Sequence, residues 1–227
     1  FLDSRPVFID TLSFDTYGPG TPWVAYKQFC QHFLAPLALM AHTDVELSKL
    51  MISHIDGVPL PLASKLLPFK TRFNYAIATH IHLHSRMQQQ HADNASDDTP
   101  LASKHSSLSE QSLNALMEAL AKTVQKLTWK MPDTEWGDYY ENTNYSDRAG
   151  EEKRDLVDRL LGSIPDQLAV VQDFGANTGE FSRIAAKHCA LVVSQDIDPV
   201  AVEMNYRKSA SDGPANILPL IQDFSSP

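Results

Sequence analysis

The chain has 227 residues, 43% of them hydrophobic, and a formal charge of −9 at pH 7 from 19 Lys and Arg against 28 Asp and Glu. That is an ordinary globular balance with length enough for a sizeable core. The acidic excess argues against non-specific binding to nucleic acid or to anionic membrane surfaces. Only two cysteines occur, Cys30 and Cys189, which excludes a disulfide-stapled secreted scaffold and makes a reducing, cytoplasmic setting the expectation. The longest apolar run, residues 33–41, contains Pro36 and is too short to cross a bilayer.

In chain order, Pro6 to Asp10 reads as a short buried strand. Thr21 and Pro22 predict the cap and first residue of a helix whose Trp23, Tyr26, Phe29, Cys30 and Phe33 share one face, with Pro36 expected to kink or end it. Thr43 to Glu46 has the form of a capping box opening a helix to about Ile55, closed by Gly57. Residues 1–87 are thus expected to form a helix-rich N-terminal region. Residues 88–112 hold too few apolar side chains to offset chain entropy and read as a flexible linker. Ser107 to Glu110 is a second capping box, and Leu113, Leu116, Met117, Leu120, Val124 and Leu127 form an amphipathic stripe behind it. Residues 113–145 are this helix and an aromatic connector with Trp129, Trp136, Tyr139, Tyr140 and Tyr145; the tyrosines are candidates for a lid over the pocket or for an amphipathic connector packed on the sheet. Ser146 is placed to cap a helix bearing Leu156, Val157, Leu160 and Leu161.

From residue 146 to 227 the rhythm becomes strand and helix by turns: strands at 168–174, 190–194 running on to Asp196, and 217–221, with helices at 180–187 and after the Asp198-Pro199 cap. Short connections between them predict an α/β fold with a parallel, Rossmann-like sheet, here its first half. The strand at 168–174 runs into the turn Gly175-Ala-Asn-Thr-Gly179, where glycines let the backbone turn sharply and let a ligand approach. A dinucleotide site asks for Gly-x-Gly-x-x-Gly and an unopposed helix N-terminus for the pyrophosphate. Here the middle glycine is missing and Asp173 stands two residues before Gly175. A carboxylate there repels a pyrophosphate and suits a cationic ligand; S-adenosylmethionine carries a sulfonium and an ammonium and no phosphate. Asp196, at the next strand end, lies where an acid accepts from ribose hydroxyls, and Asp223 ends the third strand.

The motifs Asp173-Phe174-Gly175-Ala176-Asn177-Thr178-Gly179, Asp196-Ile197-Asp198-Pro199 and Gln222-Asp223-Phe224 resemble those of class I S-adenosylmethionine-dependent methyltransferases. The resemblance implies that Gly175 to Gly179 cradle the methionine end, Asn177 and Thr178 offering turn amides or side chains to it. Asp196 would then hold the ribose and Asp223 with Phe224 flank the adenine, and Asp173, Phe174, Ala176 and Ile197 are counted with them as cofactor-binding candidates. Upstream, Phe8 to Phe14, Gln28 to Phe33 and Glu135 to Tyr140 with Thr143 to Tyr145 resemble bacterial methyltransferases of the host-specific nodulation-protein type. The implied activity is methyl transfer to an acceptor that the sequence does not identify. No catalytic residue is assigned, because the acceptor-side motif of such enzymes follows the fourth strand. The chain opens at Phe1 and stops at Pro227 beside strand-like runs, so both ends are expected to be cuts through a longer protein, inactive as this piece alone and exposing a sheet edge.

Other readings stay open beside this one. The glycine turn could serve an NAD(P)-dependent oxidoreductase, or packing alone in a non-catalytic binding protein. Pro6 to Asp10 resembles the strand and metal-binding Asp of kinase-like phosphotransferases, with a strand-end cap as the alternative role of Asp10. His80, His82 and His84 would share a face on a strand, whereas on a helix only His80 and His84 would; structural or solvated histidines, and no metal, are the expectation. Oligomeric state has no signature in the sequence.

Overall fold

The computed structural model describes residues 7, 16–18, 20–21, 23–86, 109–132, 147–166, 168–211 and 213–224. The strand expected at Pro6 to Asp10 (Val7 apart), the linker as far as residue 108, Ser146 and the lid candidates Tyr139, Tyr140 and Tyr145 lie outside those residues. The chain divides into two compact units, one of Phe14–Lys130 and one built on Met131–Pro227.

In the first unit, helix α1 runs over residues 26–42, with Cys30–Leu34 wound in the wider π manner. Pro36 therefore does not end the helix. Its ring would crowd the carbonyl of residue 32 in a regular helix, and the widened turn takes in that residue. The extra residue in this turn also moves the buried position from Phe33, which is 56% exposed and stacks on Phe29, to Leu34, which is fully buried. The start of α1 differs from expectation too: Thr21 closes a turn onto the Gly18 carbonyl, and the helix begins only at Tyr26. Helix α2 covers residues 45–53, opening in tight 3₁₀ winding, and its cap is Asp44, whose Oδ1 accepts from the Glu46 amide at 2.9 Å. Thr43 instead donates to the Leu66 carbonyl at the end of α3, Leu60–Leu66.

A short 3₁₀ segment, Phe69–Phe73, leads to α4, residues 75–83, capped by Asn74. Helix α5, Glu110–Lys126, is capped by Ser109, so residues 110–112 belong to the helix and not to the linker. Its predicted stripe faces inward: Leu120 is buried, and Leu116, Val124 and Leu127 pack against a core of Cys30, Leu34, Leu39, Val58, Leu60, Ile77 and Ile81. The three histidines sit on a helical element with protein partners. His80 Nδ1 lies 2.6 Å from the Tyr26 hydroxyl, His84 stacks on the Tyr26 ring, and His82 bridges Ser64 and Thr71. Thr71 donates to the Pro68 carbonyl, so His82 Nε2 must donate to Thr71 and Nδ1 must accept from Ser64. Among the described residues no group of three or more metal-type side chains comes together.

The second unit begins with helix α6, Asp147–Gly162. Only part of its expected apolar face is used: Leu161 packs inward, while Leu156 and Leu160 are half-exposed. Strand β1, Leu168–Phe174, helix α7, Glu180–Ala185, strand β2, Cys189–Asp196, helix α8, Pro199–Ser211, and strand β3, Ile217–Ile221, follow. The strands form a parallel sheet in the order β1-β2-β3, with Phe174 opposite Gln195 and Asp196 opposite Ile221. Both crossovers step the same way along the sheet, so right-handed connections put α7 and α8 on one face. There Ala185, Cys189, Val192 and Ile217 make a small core. This is the Rossmann-like βαβαβ arrangement that the alternation of segments predicts. No helix among the described residues is long and apolar enough to cross a membrane.

Candidate functional site

The three strands end side by side, and their carboxyl ends carry the site residues. Asp173 and Phe174 close β1, Asp196 closes β2 with Ile197 after it, and Asp223 and Phe224 follow β3. The Gln222 amide bonds the Asp196 carbonyl at 2.9 Å, which holds the segment after β3 against the end of β2. Phe174 and Phe224 meet edge to face, ring centres 5.1 Å apart, and with Ile197 they stay more than half exposed. An apolar rim thus stands beside the acids, a setting suited to a flat, partly apolar group.

The turn from Gly175 to Gly179 is built by three positive-φ residues, Gly175 at +70°, Asn177 at +51° and Gly179 at +78°. Asparagine tolerates that region better than most residues, and glycine bears no cost there. The two glycines differ in what surrounds them. A Cβ on Gly175 would point into open space, with no atom within 4 Å. A Cβ on Gly179 would run into the side-chain amide of Asn205. Gly175 therefore leaves open space beside the turn, whereas Gly179 lets α8 pack against it.

Every amide of this turn is already spent inside the protein. Gly175 and Ala176 both donate to the Gln195 carbonyl, at 2.9 and 3.0 Å. Asn177 donates to Asp196 Oδ2 at 2.7 Å, Thr178 to Asn177 Oδ1 at 2.7 Å and Gly179 to the Ala176 carbonyl at 2.8 Å. The turn amides that the resemblance assigned to the ligand at Asn177 and Thr178 are thus committed to shaping the turn. A pyrophosphate-binding turn works the other way, aiming unpaired amides at the anion.

Asp196 is held from both sides. Besides the Asn177 amide on Oδ2, the Asp198 amide reaches Oδ1 at 3.0 Å. Two charge-assisted bonds fix the carboxylate plane and leave lone pairs for further donors. Asp198 itself caps α8, Oδ1 accepting from the Val200 amide at 2.8 Å, as the Asp-Pro pair predicts. Asp173 Oδ2 accepts from Ser182 Oγ at 2.6 Å. Helix α6 clamps the start of α7 through Arg154 Nη1 to Glu180 Oε1 at 2.7 Å and Lys153 over the Phe181 ring at 4.7 Å. The Glu180 carboxylate beside it raises the Arg154 pKa.

Sequence reasoning missed the layer beneath these acids. Ser182, Ser194 and Asn205 are buried polar residues; Ser182 and Asn205 sit in helices that also carry Glu180, Arg183, Glu203 and Arg207, so only Ser194, in the apolar run of β2, stood out in the sequence. A buried Gln195 Oε1 without a protein partner lies at the same strand end as Asp196.

No family model matches the chain. It is 28% identical over 229 residues to nodulation protein NoeA of Rhizobium meliloti (strain 1021), an alignment that takes in 100% of this chain and 47% of the relative. The nodulation-protein resemblance read from the upstream motifs is borne out by that likeness, and the chain spans about half the length of the relative it matches. Among solved structures, Haemonchus contortus phosphoethanolamine N-methyltransferase 1, in complex with phosphoethanolamine and S-adenosylhomocysteine, aligns with 39% of this chain and 20% of its own at 26% identity and a TM-score of 0.28.

Proposed function

We propose that this chain carries the cofactor-binding part of an S-adenosylmethionine-dependent methyltransferase. The observation that carries the reading is the donor and acceptor balance of the glycine turn: all five of its amides are consumed internally, while Asp173, Asp196 and Asp223 stand at three adjacent strand ends. Such a site favours a ligand that brings cations and hydroxyl donors and disfavours one that brings a pyrophosphate. The residues present fit S-adenosylmethionine. Asp173 faces the role of partner to the ammonium, Asp196 that of acceptor for the ribose hydroxyls, and Asp223 that of acceptor for the adenine amino group. Phe174, Ile197 and Phe224 supply apolar cover for the adenine, and the open side of Gly175 lets the methionine end approach the backbone.

When bound, S-adenosylmethionine supplies an activated methyl group on sulfur. The chain's own residues bind and orient: Asp196, already braced by two amides, offers its remaining lone pairs without having to reorganise. A general base is needed only where the acceptor must lose a proton on transfer.

The test is calorimetric titration of the chain with S-adenosylhomocysteine and, separately, with NAD, for the wild type and Asp196→Asn. The expected result is saturable binding of S-adenosylhomocysteine, no heat with NAD, and affinity about tenfold or more lower in Asp196→Asn, as loss of a charged acceptor implies. Binding of NAD, or of neither ligand, would overturn the reading.

A further inference from the structure

Beneath the glycine turn four side chains from four elements form one chain of hydrogen bonds. Asn205 Nδ2 on α8 lies 2.7 Å from Ser194 Oγ on β2, Ser194 Oγ lies 2.9 Å from Ser182 Oγ on α7, and Ser182 Oγ lies 2.6 Å from Asp173 Oδ2 at the end of β1. Its direction follows from what each group can do. A carboxylate only accepts, so the single hydroxyl proton of Ser182 points to Asp173. Ser182 must then accept from Ser194, and Ser194, its proton spent, must accept from the Asn205 amide. The other end of Asn205 agrees: Arg183 Nη1, which can only donate, reaches Asn205 Oδ1 at 3.3 Å, which fixes which end of the amide is oxygen. Ser182, Ser194 and Asn205 are 0, 1 and 1% exposed, so the relay is shielded from water as far as Asp173, which is half-buried at the strand end. A connected hydrogen-bond network of this kind stiffens its members, and they polarise one another.

Asn205 acts on the turn a second time, because its amide occupies the place that a Cβ at Gly179 would need. One side chain on α8 therefore governs both ends of the turn: the carboxylate just before Gly175, through two serines, and the backbone at Gly179, by contact. Arg183 ties in the middle, its Nη1 also reaching the Thr178 carbonyl at 3.0 Å.

We propose that Asn205 is a positioning residue for the amino-acid end of the cofactor, acting on Asp173 through the Ser194–Ser182 relay and on Gly179 directly. The inference rests on the methyltransferase reading above. It assigns to α8 a share in binding that none of its residues obtains by touching the ligand, and it divides the site in two. The methionine end depends on the relay, whereas the adenosine end, held by Asp196, Asp223 and Phe224, does not.

That division supplies a readout that a general structural role would not move. S-adenosylhomocysteine and 5′-methylthioadenosine share the adenosine and the thioether sulfur, but the second lacks the amino-acid arm. Both are titrated into the full chain for the wild type, Ser194→Ala and Asn205→Asp. Ser194→Ala cuts the relay by deleting one oxygen, and Asn205→Asp keeps shape and the Arg183 contact while removing the donor. The expected result is a fivefold to tenfold loss for S-adenosylhomocysteine in both variants, about the worth of one buried hydrogen bond, with 5′-methylthioadenosine unchanged. Equal weakening of both ligands, or of neither, would overturn the inference while leaving the methyltransferase reading in place. A wild type that binds neither ligand would overturn that reading, and the inference with it. Retained binding of 5′-methylthioadenosine also certifies that each variant is folded.

Discussion

At the scale of single residues the two glycines of the turn separate folding from binding. Both sit at positive φ, where an alanine costs about 1–2 kcal/mol. At Gly175 that is the whole cost to folding, because a methyl group would enter open space. At Gly179 the methyl would also drive into Asn205, adding an overpacking cost of about 1–3 kcal/mol. Urea unfolding should therefore show Gly179→Ala as clearly the less stable protein. Gly175→Ala should stay folded yet lose S-adenosylhomocysteine binding, because its methyl stands on the ligand side. If Gly175→Ala bound normally, the open side of that glycine would not be the ligand side. A double-mutant cycle with Asn205→Ala should recover the overpacking part of the Gly179→Ala loss and none of the φ part.

Helices and strands differed in how far the residue pattern alone could place them. β1 and β3 have the bounds that their apolar runs predict, Leu168–Phe174 and Ile217–Ile221, because each is short and followed at once by turn residues. Helix starts were less legible, since Thr, Ser and Asp crowd the same few positions and only the surrounding fold decides among them. Thr43 looked like the cap of α2, but its hydroxyl is drawn to the Leu66 carbonyl, and the neighbouring Asp44 takes the role. Asp44→Ala should accordingly cost about 1 kcal/mol in unfolding experiments, and Thr43→Ala less, since an exposed 3.3 Å bond is all it gives up. The reverse order would return the cap to Thr43. At the site, the acids at the strand ends were readable from spacing. The relay from Asn205 was not, because it joins residues as far apart as 173 and 205 that only the packing of α8 on the sheet brings together.

On the scale of the whole chain, the two units should respond differently to acid. In the Phe14–Lys130 unit, burial lowers the pKa of His42, His80, His82 and His84, and nearby charge adds to it: Lys70 at His42, His84 at His80, Arg72 and Arg86 at His82, and Lys27 at His84. In the unfolded chain these imidazoles take up a proton at about pH 6.5. In the folded chain they do so only at lower pH. Between those values the unfolded state binds more protons, so stability is fully present above about pH 6.5 and falls as pH drops toward the folded values. The Met131–Pro227 unit has one histidine, His188, against the four in the other unit whose pKa values are lowered. Urea midpoints followed on residues of each unit should therefore drop between pH 7 and pH 5 for Phe14–Lys130, with a smaller change for Met131–Pro227. Equal drops would mean that the buried imidazoles are not the source of acid sensitivity.

The contact between Gly179 and Asn205 bears on how sequences of this kind can diverge. Any side chain at 179 has to satisfy both a left-handed backbone and an occupied neighbour, so drift there is blocked by folding whether or not the protein retains a ligand. Position 175 is under the backbone constraint alone, and Asn177 shows that this turn already accepts a non-glycine residue with positive φ. An invariant glycine at 179 among descendants would thus say only that α8 still packs as it does here. At 175 an asparagine would meet the backbone constraint as Asn177 does, so a glycine kept there in preference to asparagine would point to use of the open side.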